Sequence, residues 1–416
     1  MYIPSGTAAS QHNMRQNLRS CEASDATHAL RDIGVRDVVV GIPSHNEASS
    51  IAKVVHATDK GLTDHLSHCR CLIVNADNAS PDGTREAFEA VITKTPKLYI
   101  STPPGLKGKG HNVFNIFAAA THLGSPAVVL LDADLRSAES SWIPALCRPV
   151  LEGELDLVTP LYLRHRYDAT VTNHLCFPLI YGVLGVSVRQ PIGGEFGVSP
   201  GLYKHLLKQS WSPAADGYGV DIFLTLNALL SGFRISETKL GTKLHKPSAP
   251  KLNAIFSDIA EVCLQELHAI RAGTQKAHRL VAEPPNARHI AALNAEGLHA
   301  SASNWSEEAR TRLAPLLPRA RAIIGRETSN RLEEHLTLRL DGIGAHLWAD
   351  VVFRVLRSYA DTSSSRDLLE LLQAAFFGRL AAFHSSLPTL TYLEFEEQLL
   401  QQARIFRRKA VESAEI

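Results

Sequence analysis

The chain has 416 residues, of which 45% are hydrophobic and 20% charged, and its 43 basic residues nearly cancel 42 acidic ones. That balance belongs to a folding globular chain and leaves no basic surplus to neutralise a phosphate backbone, so nucleic acid is excluded as a partner. The length exceeds one usual hydrophobic core and points to two domains.

Residues 1–34 are polar and poor in periodic apolar positions, the profile of a flexible tail without an apolar leader. The six cysteines are scattered, which with the missing leader places the chain in the cytoplasm. From Asp37 short apolar runs alternate with longer helical segments. Strands are expected over Val38–Ile42, Leu72–Val74, Leu98–Ile100 and Val128–Leu131, and helices over Ala48–Thr58, Thr84–Thr93 and His111–His122. This is the start of a doubly wound α/β sheet, whose ligands sit outside the carboxyl ends of the strands. His65, His68, Cys69 and Cys71 crowd together between the first two strands, but no second Cys/His pair follows at zinc spacing and they are read as incidental. Leu175–Val188 is apolar but too short for a membrane span, so a buried helix is expected there and no membrane span in the chain. Beyond Lys251 helical periodicity takes over, in segments at Ile255–Arg271, Glu307–Ile324, Arg331–Leu340, Ala345–Ser358 and Arg366–Phe383, with a break at Pro284-Pro285. The expected division is a tail at 1–34, a mostly parallel α/β domain at 35–250 and a helical domain at 251–416.

The polar residues after each strand carry the chemistry. Pro43-Ser44-His45-Asn46-Glu47 ends the first strand, where Pro stops the ladder and Ser or Asn caps the next helix. Asp77-Asn78 lies in the turn after the second. Gly108-Lys109-Gly110 leads into a helix and offers N–H and ammonium groups to phosphate oxygens, without being a P-loop. The strongest signal is Asp132-Ala133-Asp134 at the end of a buried strand. Its two carboxylates point the same way, one to bind a hard divalent ion and the other to orient a ribose or a metal-bound water. A Mg²⁺ or Mn²⁺ ion there neutralises a departing diphosphate, and His245 downstream is a further metal ligand.

Taken together with Gln190–Glu195, Gly217–Asp221 and His245, these motifs resemble the GT-A glycosyltransferases over residues 37–250. Within them the chain is similar to the retaining group of glucosyl-3-phosphoglycerate, glucosylglycerate and mannosylglycerate synthases. The resemblance implies a GT-A fold followed by a helical region, and an enzyme that moves glucose or mannose from a nucleotide-sugar donor to a small-molecule acceptor. It assigns Pro43, Ser44, Glu47, Asp77, Asn78, Lys109, Asp132, Asp134, Gly193 and Gly194 to the donor, and Asp134 and His245 to the divalent metal cofactor. It implies retention without an enzymic nucleophile, the Ile192 carbonyl lying near the anomeric carbon and Asp221 near donor and acceptor. Nucleophilic catalysis by Glu195 or Asp221 is the alternative. A homodimer is a family-level expectation.

Acceptor choice turns on Leu163–Thr172. Thr172 matches a threonine that contacts glycerate in the family, whereas Thr170 stands where the phosphoglycerate-using enzymes carry an arginine. Unphosphorylated D-glycerate is therefore the expected acceptor, with Arg164 as carboxylate partner and Tyr218 beside it; 3-phosphoglycerate is the alternative. A polyprenyl-phosphate sugar transferase and a non-catalytic nucleotide-sugar-binding protein are the competing classes. The first lacks its expected membrane anchor here, and the second gives no reason for Asp132, Asp134 and His245.

Overall fold

A computed structural model describes residues 18–20, 23–246, 251–271, 302–339, 341–359 and 365–414. In chain order the first half comprises α1 (Ala23–Ile33), β1 (Val38–Ser44), α2 (Ile51–His65), β2 (Cys71–Asp77), α3 (Thr84–Glu89), β3 (Lys97–Ser101), α4 (Lys109–His122), β4 (Ala127–Leu130), α5 (Trp142–Leu151) and β5 (Leu157–Leu163). There follow α6 (Phe177–Leu184), β6 (Phe196–Val198), α7 (Pro200–Leu206), α8 (Pro213–Asp216), α9 (Val220–Leu230) and β7 (Ile235–Thr242). Among the described residues the remaining α-helices are α10 (Leu252–Arg271), α11 (Ala302–Leu313), α12 (Leu317–Ile324), α13 (Arg326–Glu333), α14 (Ala345–Ser358), α15 (Ser365–Ser386) and α16 (Tyr392–Ala414).

The seven strands form one sheet in the order β3-β2-β1-β4-β6-β5-β7. β3, β2, β1 and β4 pair in parallel, and β6 runs antiparallel between β4 and β5. Every residue of β1 and β2 is buried, as the continuous apolar runs require of strands covered on both faces. Val38, Val40 and Ile42 point into one core cluster with Val54 and Val55 of α2 and with Ile143 and Leu146 of α5. On the other face Gly41 lies against Ile116 of α4, so close that a side chain has no room there.

Several expectations change. Pro43 does not stop the β1 ladder, because the register with β2 continues through Pro43↔Ala76 to Ser44↔Asp77. Gly41 accepts from Leu131 on the β4 side, and Pro43 has the same parity, so its missing N–H faces a strand that has already ended at Leu130. The expected tail is not featureless. Ala23–Ile33 is a helix, and the Arg19 guanidinium pairs with Asp216 and packs 4.0 Å over the Phe114 ring. Glu307–Ile324 is two helices, α11 and α12, divided by a 3₁₀ turn at Ala314–Leu316 that contains Pro315. The buried segment at Leu175–Val188 is helical only over Phe177–Leu184, entered through a π turn at Thr172–Cys176 and ended by Gly185 at φ +69°. The Pro284-Pro285 break lies outside the described residues.

The chain divides into two units. One comprises Met1–Tyr162 and Gly193–Ser248, the other Leu163–Ile192 and Ala249–Ile416. One boundary falls at Ser248/Ala249, and Leu163–Ile192, expected in the α/β domain, groups with the C-terminal helices. Among the described residues no helix is long and apolar enough to cross a membrane.

Candidate active site

In the first unit the register aligns the strand ends, Ser44 with Asp77 and Asp77 with Ser101, so the turns after β1, β2 and β3 open on one edge of the sheet. Asp77 is wholly buried and accepts from Ser44 Oγ at 2.7 Å, Ser80 N at 2.7 Å and Tyr99 Oη at 3.0 Å. Four or more lone-pair sites are thereby largely occupied, and the carboxylate holds the turn together. Asn78 accepts from Gly108 N at 3.1 Å and donates to Asn112 Oδ1 at 2.9 Å, tying the second turn to the start of α4. Gly110 abuts the Ala215 carbonyl so closely that a Cβ would lie 2.1 Å from it.

The charged centre is built across β4, α4, α9 and the segment after β7. Lys109 Nζ lies 2.8 Å from Asp132 and 2.9 Å from Asp221. Lys243 Nζ lies 2.9 Å from Asp132, 2.9 Å from Glu195 and 2.7 Å from the Gly193 carbonyl. Tyr162 Oη donates to Glu195 at 2.8 Å. Three carboxylates thus share two ammonium groups. Carboxylates this close repel by roughly 3 kcal/mol at an effective permittivity of about 20, so the lysines are what allows more than one of them to stay ionised. Burial works against the charged forms, yet its two lysine partners hold Asp132 well below the usual carboxylate range, and the two aspartates raise Lys109. Burial, reinforced by Asp132, pushes Glu195 up to about 7 against the pull of Lys243. Burial likewise raises Asp221.

Two expected roles are corrected here. Lys109, read as facing phosphate, turns its ammonium to Asp132 and Asp221. Gly194, read as clearing space for a donor sugar, clears space for protein: at φ +95° a Cβ would lie 2.1 Å from Asp132 Oδ2 and 3.0 Å from Lys243 Nζ.

Asp134 lies two residues past Asp132. Its carboxyl is raised, first by burial and then by Asp132, while Lys243 and His245 pull it down. A carboxylate held in that condition gains from a further cation, and the neighbouring imidazole adds a nitrogen donor of the kind Mn²⁺ or Mg²⁺-site chemistry tolerates. His245 Nδ1 lies 2.6 Å from the Lys246 carbonyl. Among the described residues no group of three or more His, Cys, Asp or Glu side chains is set to hold a metal. Glu47 pairs with Lys246. Tyr218 is half-buried between α8 and α9.

The remaining predicted residues belong to the second unit. Arg164 pairs with Asp168 at 3.0 Å and meets Gln190 Oε1 at 3.4 Å. Thr170 is half-buried at the start of a helical turn, Thr172 is buried, and Ile192 closes the segment.

Sequence reasoning missed Lys243, which is 4% exposed and joins three of the predicted residues. The available signal was two lysines, Lys243 and Lys246, flanking His245 at the end of a strand. It also missed β5 and β6, and with β6 the reason for Gly193-Gly194: the pair delivers Glu195 to the strand that lies beside β4.

Residues 39–196 match the family model described as Glycosyl transferase family 2. The chain is 28% identical over 234 residues to a glucosyl-3-phosphoglycerate synthase of Mycobacterium tuberculosis, covering 51% of this chain and 67% of that protein; the Mycobacterium bovis enzyme gives the same figures. Among solved structures it is similar to the M. tuberculosis glucosyl-3-phosphoglycerate synthase in complex with Mg²⁺ and uridine diphosphate (23% identity, TM-score 0.45, 64% of this chain and 85% of that one). The same enzyme with Mn²⁺, UDP-glucose and phosphoglyceric acid gives 24%, 0.44, 63% and 85%.

Proposed function

We propose that this chain, which carries a family 2 glycosyl transferase domain in a GT-A fold, moves a hexose from a nucleotide diphosphate donor to a small acid acceptor, with retention at the anomeric carbon. The observation that carries the reading is the pair Asp132 and Asp134 at the carboxyl end of β4. The first is held ionised by two lysines, and the second is a strained acid beside an imidazole.

In this reading Asp134 and His245 hold a divalent cation, which supplies positive charge to the diphosphate as the glycosidic bond breaks. Ser44, Glu47, Asp77 and Asn78 form the nucleoside end of the site through the turns they hold together. Lys109 and Lys243 keep Asp132 ionised, and Lys109 orients Asp221, so that the two side chains meet sugar hydroxyls. The Ile192 carbonyl faces the anomeric carbon. The acceptor hydroxyl attacks the anomeric carbon on the face the diphosphate leaves, and its proton passes to the departing diphosphate oxygen. Glu195 is a poor nucleophile here, since it already accepts from Lys243 and Tyr162.

D-Glycerate is the proposed acceptor. Arg164 is paired with Asp168, and Arg166 donates to the Leu387 and Leu390 carbonyls, so the segment's two arginines are already engaged by the protein. A monoanionic carboxylate suits that balance better than a phosphate monoester. The relatives favour the second reading, 3-phosphoglycerate, since they are glucosyl-3-phosphoglycerate synthases. A matrix of UDP-glucose, GDP-glucose and GDP-mannose against D-glycerate and 3-phosphoglycerate, with Mg²⁺ or Mn²⁺, decides the question. An α-linked product on glycerate supports the first reading, one on phosphoglycerate the second. No transfer to either sinks the acid-acceptor assignment.

A further inference from the structure

The acceptor-side segment is joined to α16 by an unbroken series of polar contacts inside the second unit. Glu396, 7% exposed, takes Arg189 in a two-pronged ion pair, Nε to Oε2 and Nη2 to Oε1, both at 3.1 Å. Arg189, 5% exposed, donates its remaining Nη1 to Asn173 Oδ1 at 2.9 Å. Asn173 Nδ2 donates to the Asp168 carbonyl at 3.2 Å, and the Asp168 carboxylate holds Arg164 at 3.0 Å. Gln402, one and a half turns further along α16 and wholly buried, donates to the Asn173 carbonyl at 2.9 Å.

Stability alone gives no account of this arrangement. A buried ion pair holds a fold little better than apolar side chains of the same shape, whereas it specifies one geometry. The geometry specified is that of Asp168–Asn173, a stretch that includes Ala169 at φ +55°, a conformation an alanine keeps only when its surroundings impose it.

We infer that Glu396 and Arg189 are positioning residues: through Asn173 and Asp168 they set the orientation of Arg164, and thereby make acceptor binding a property of the C-terminal helices. The inference rests on the proposed acceptor role of Arg164, and two measurements separate it from that role.

The first is amide hydrogen exchange on Glu396→Gln, which keeps the shape and removes the charge. Amides of Asp168–His174 are expected to lose protection by about tenfold or more while those of β1 do not change; unchanged protection overturns the positioning role whatever the enzyme's acceptor. The second is steady-state kinetics. KM for the acid acceptor is expected to rise at least about tenfold with donor KM unaltered, and an equal effect on both substrates, or none on either, overturns the acceptor part. Should Glu396→Gln fold poorly, Arg189→Met/Glu396→Leu removes both charges and retains the packing. It is expected to recover thermal stability but not acceptor KM, and recovery of both shows the pair to be filler. If the wild-type enzyme transfers to no acid acceptor, the functional reading fails while the exchange experiment still decides the relay.

Discussion

The Lys243 ammonium stands 2.9 Å from Asp132 and, at the same distance, from the fully buried Glu195. Removing it as Lys243→Met takes the shared partner from the fully buried Glu195 and the partly exposed Asp132 and leaves Lys109 on Asp132, a loss of about 3–5 kcal/mol by the usual cost of breaking a buried pair. The melting temperature is expected to fall by about 10 °C, and transferase activity to be lost. Adding Glu195→Gln to that variant removes one stranded charge and is expected to recover part of the stability and none of the activity. A single variant as stable as wild type places Lys243 outside the charged centre.

Gly194→Ala tests the same centre from the backbone. Its φ of +95° costs an L-residue about 1–2 kcal/mol, and the new methyl would sit 2.1 Å from Asp132 Oδ2. Asp132 must then leave Lys243. Gly194→Ala is expected to lower kcat by at least about 100-fold, whereas Gly105→Ala, whose surroundings are empty though its φ is also positive, changes stability modestly and leaves the charged centre alone. Equal losses in the two variants point to backbone strain and not to the contact with Asp132.

What could be read in advance and what could not follow one physical line. Strand ends announce themselves, because a carboxylate pair such as Asp132 and Asp134 after Val128–Leu131 breaks an apolar run, and the parallel register then brings such ends to one edge. Lys243 was hidden because a lysine after a strand looks like any surface lysine until its distant partners are known. The grouping of Leu163–Ile192 with the C-terminal helices was hidden for the same reason: contacts such as Arg189 to Glu396 span 207 positions, and no local period encodes them. The helix break at Pro315, inside a segment expected to run unbroken over Glu307–Ile324, and the helix end at Gly185, inside the expected buried segment Leu175–Val188, went unread.

Asp134 gives a metal prediction that needs no assay of turnover. A cation that binds the native protein and not the unfolded chain raises the melting temperature by mass action. Mn²⁺ with UDP is expected to stabilise the wild-type protein and to give no shift in Asp134→Asn. Because burial and Asp132 already disfavour the Asp134 carboxylate, the variant without metal should be as stable as wild type or more so. A full Mn²⁺ shift in Asp134→Asn places the metal elsewhere.

The second unit carries an acid-sensitive group in His384. Burial and then the Arg379 charge lower its pKa to about 4, from an ordinary 6.5. It packs edge-on to the Tyr167 ring, 5.2 Å between centroids, and His174, lowered too, shares the same surroundings. A base depressed in the folded state contributes stability that is complete above pH 6.5 and is lost as pH falls through about 4. The loss amounts to roughly 3 kcal/mol at most. Thermal melts from pH 7.5 to 4.5 are expected to show this decline, and His384→Phe, which keeps the ring packing, to flatten part of it. An identical decline in the variant assigns the acid sensitivity to other groups.

Thr170 is the place to test acceptor choice. It begins a helical turn and is half-buried, and arginine is a good helix former, so Thr170→Arg should be accommodated without loss of fold. A guanidinium there adds a two-pronged donor for a phosphate monoester beside an Arg164 that Asp168 already neutralises. If the segment lines the acceptor site, the ratio of kcat/KM for 3-phosphoglycerate over D-glycerate should rise by about tenfold or more, which is a differential of about 1.4 kcal/mol. The rise should come from a lower KM for phosphoglycerate, since the added contact is made equally in the ground and transition states. A ratio unchanged in a variant that keeps wild-type turnover removes residue 170 from the acceptor site and, with it, the argument for glycerate.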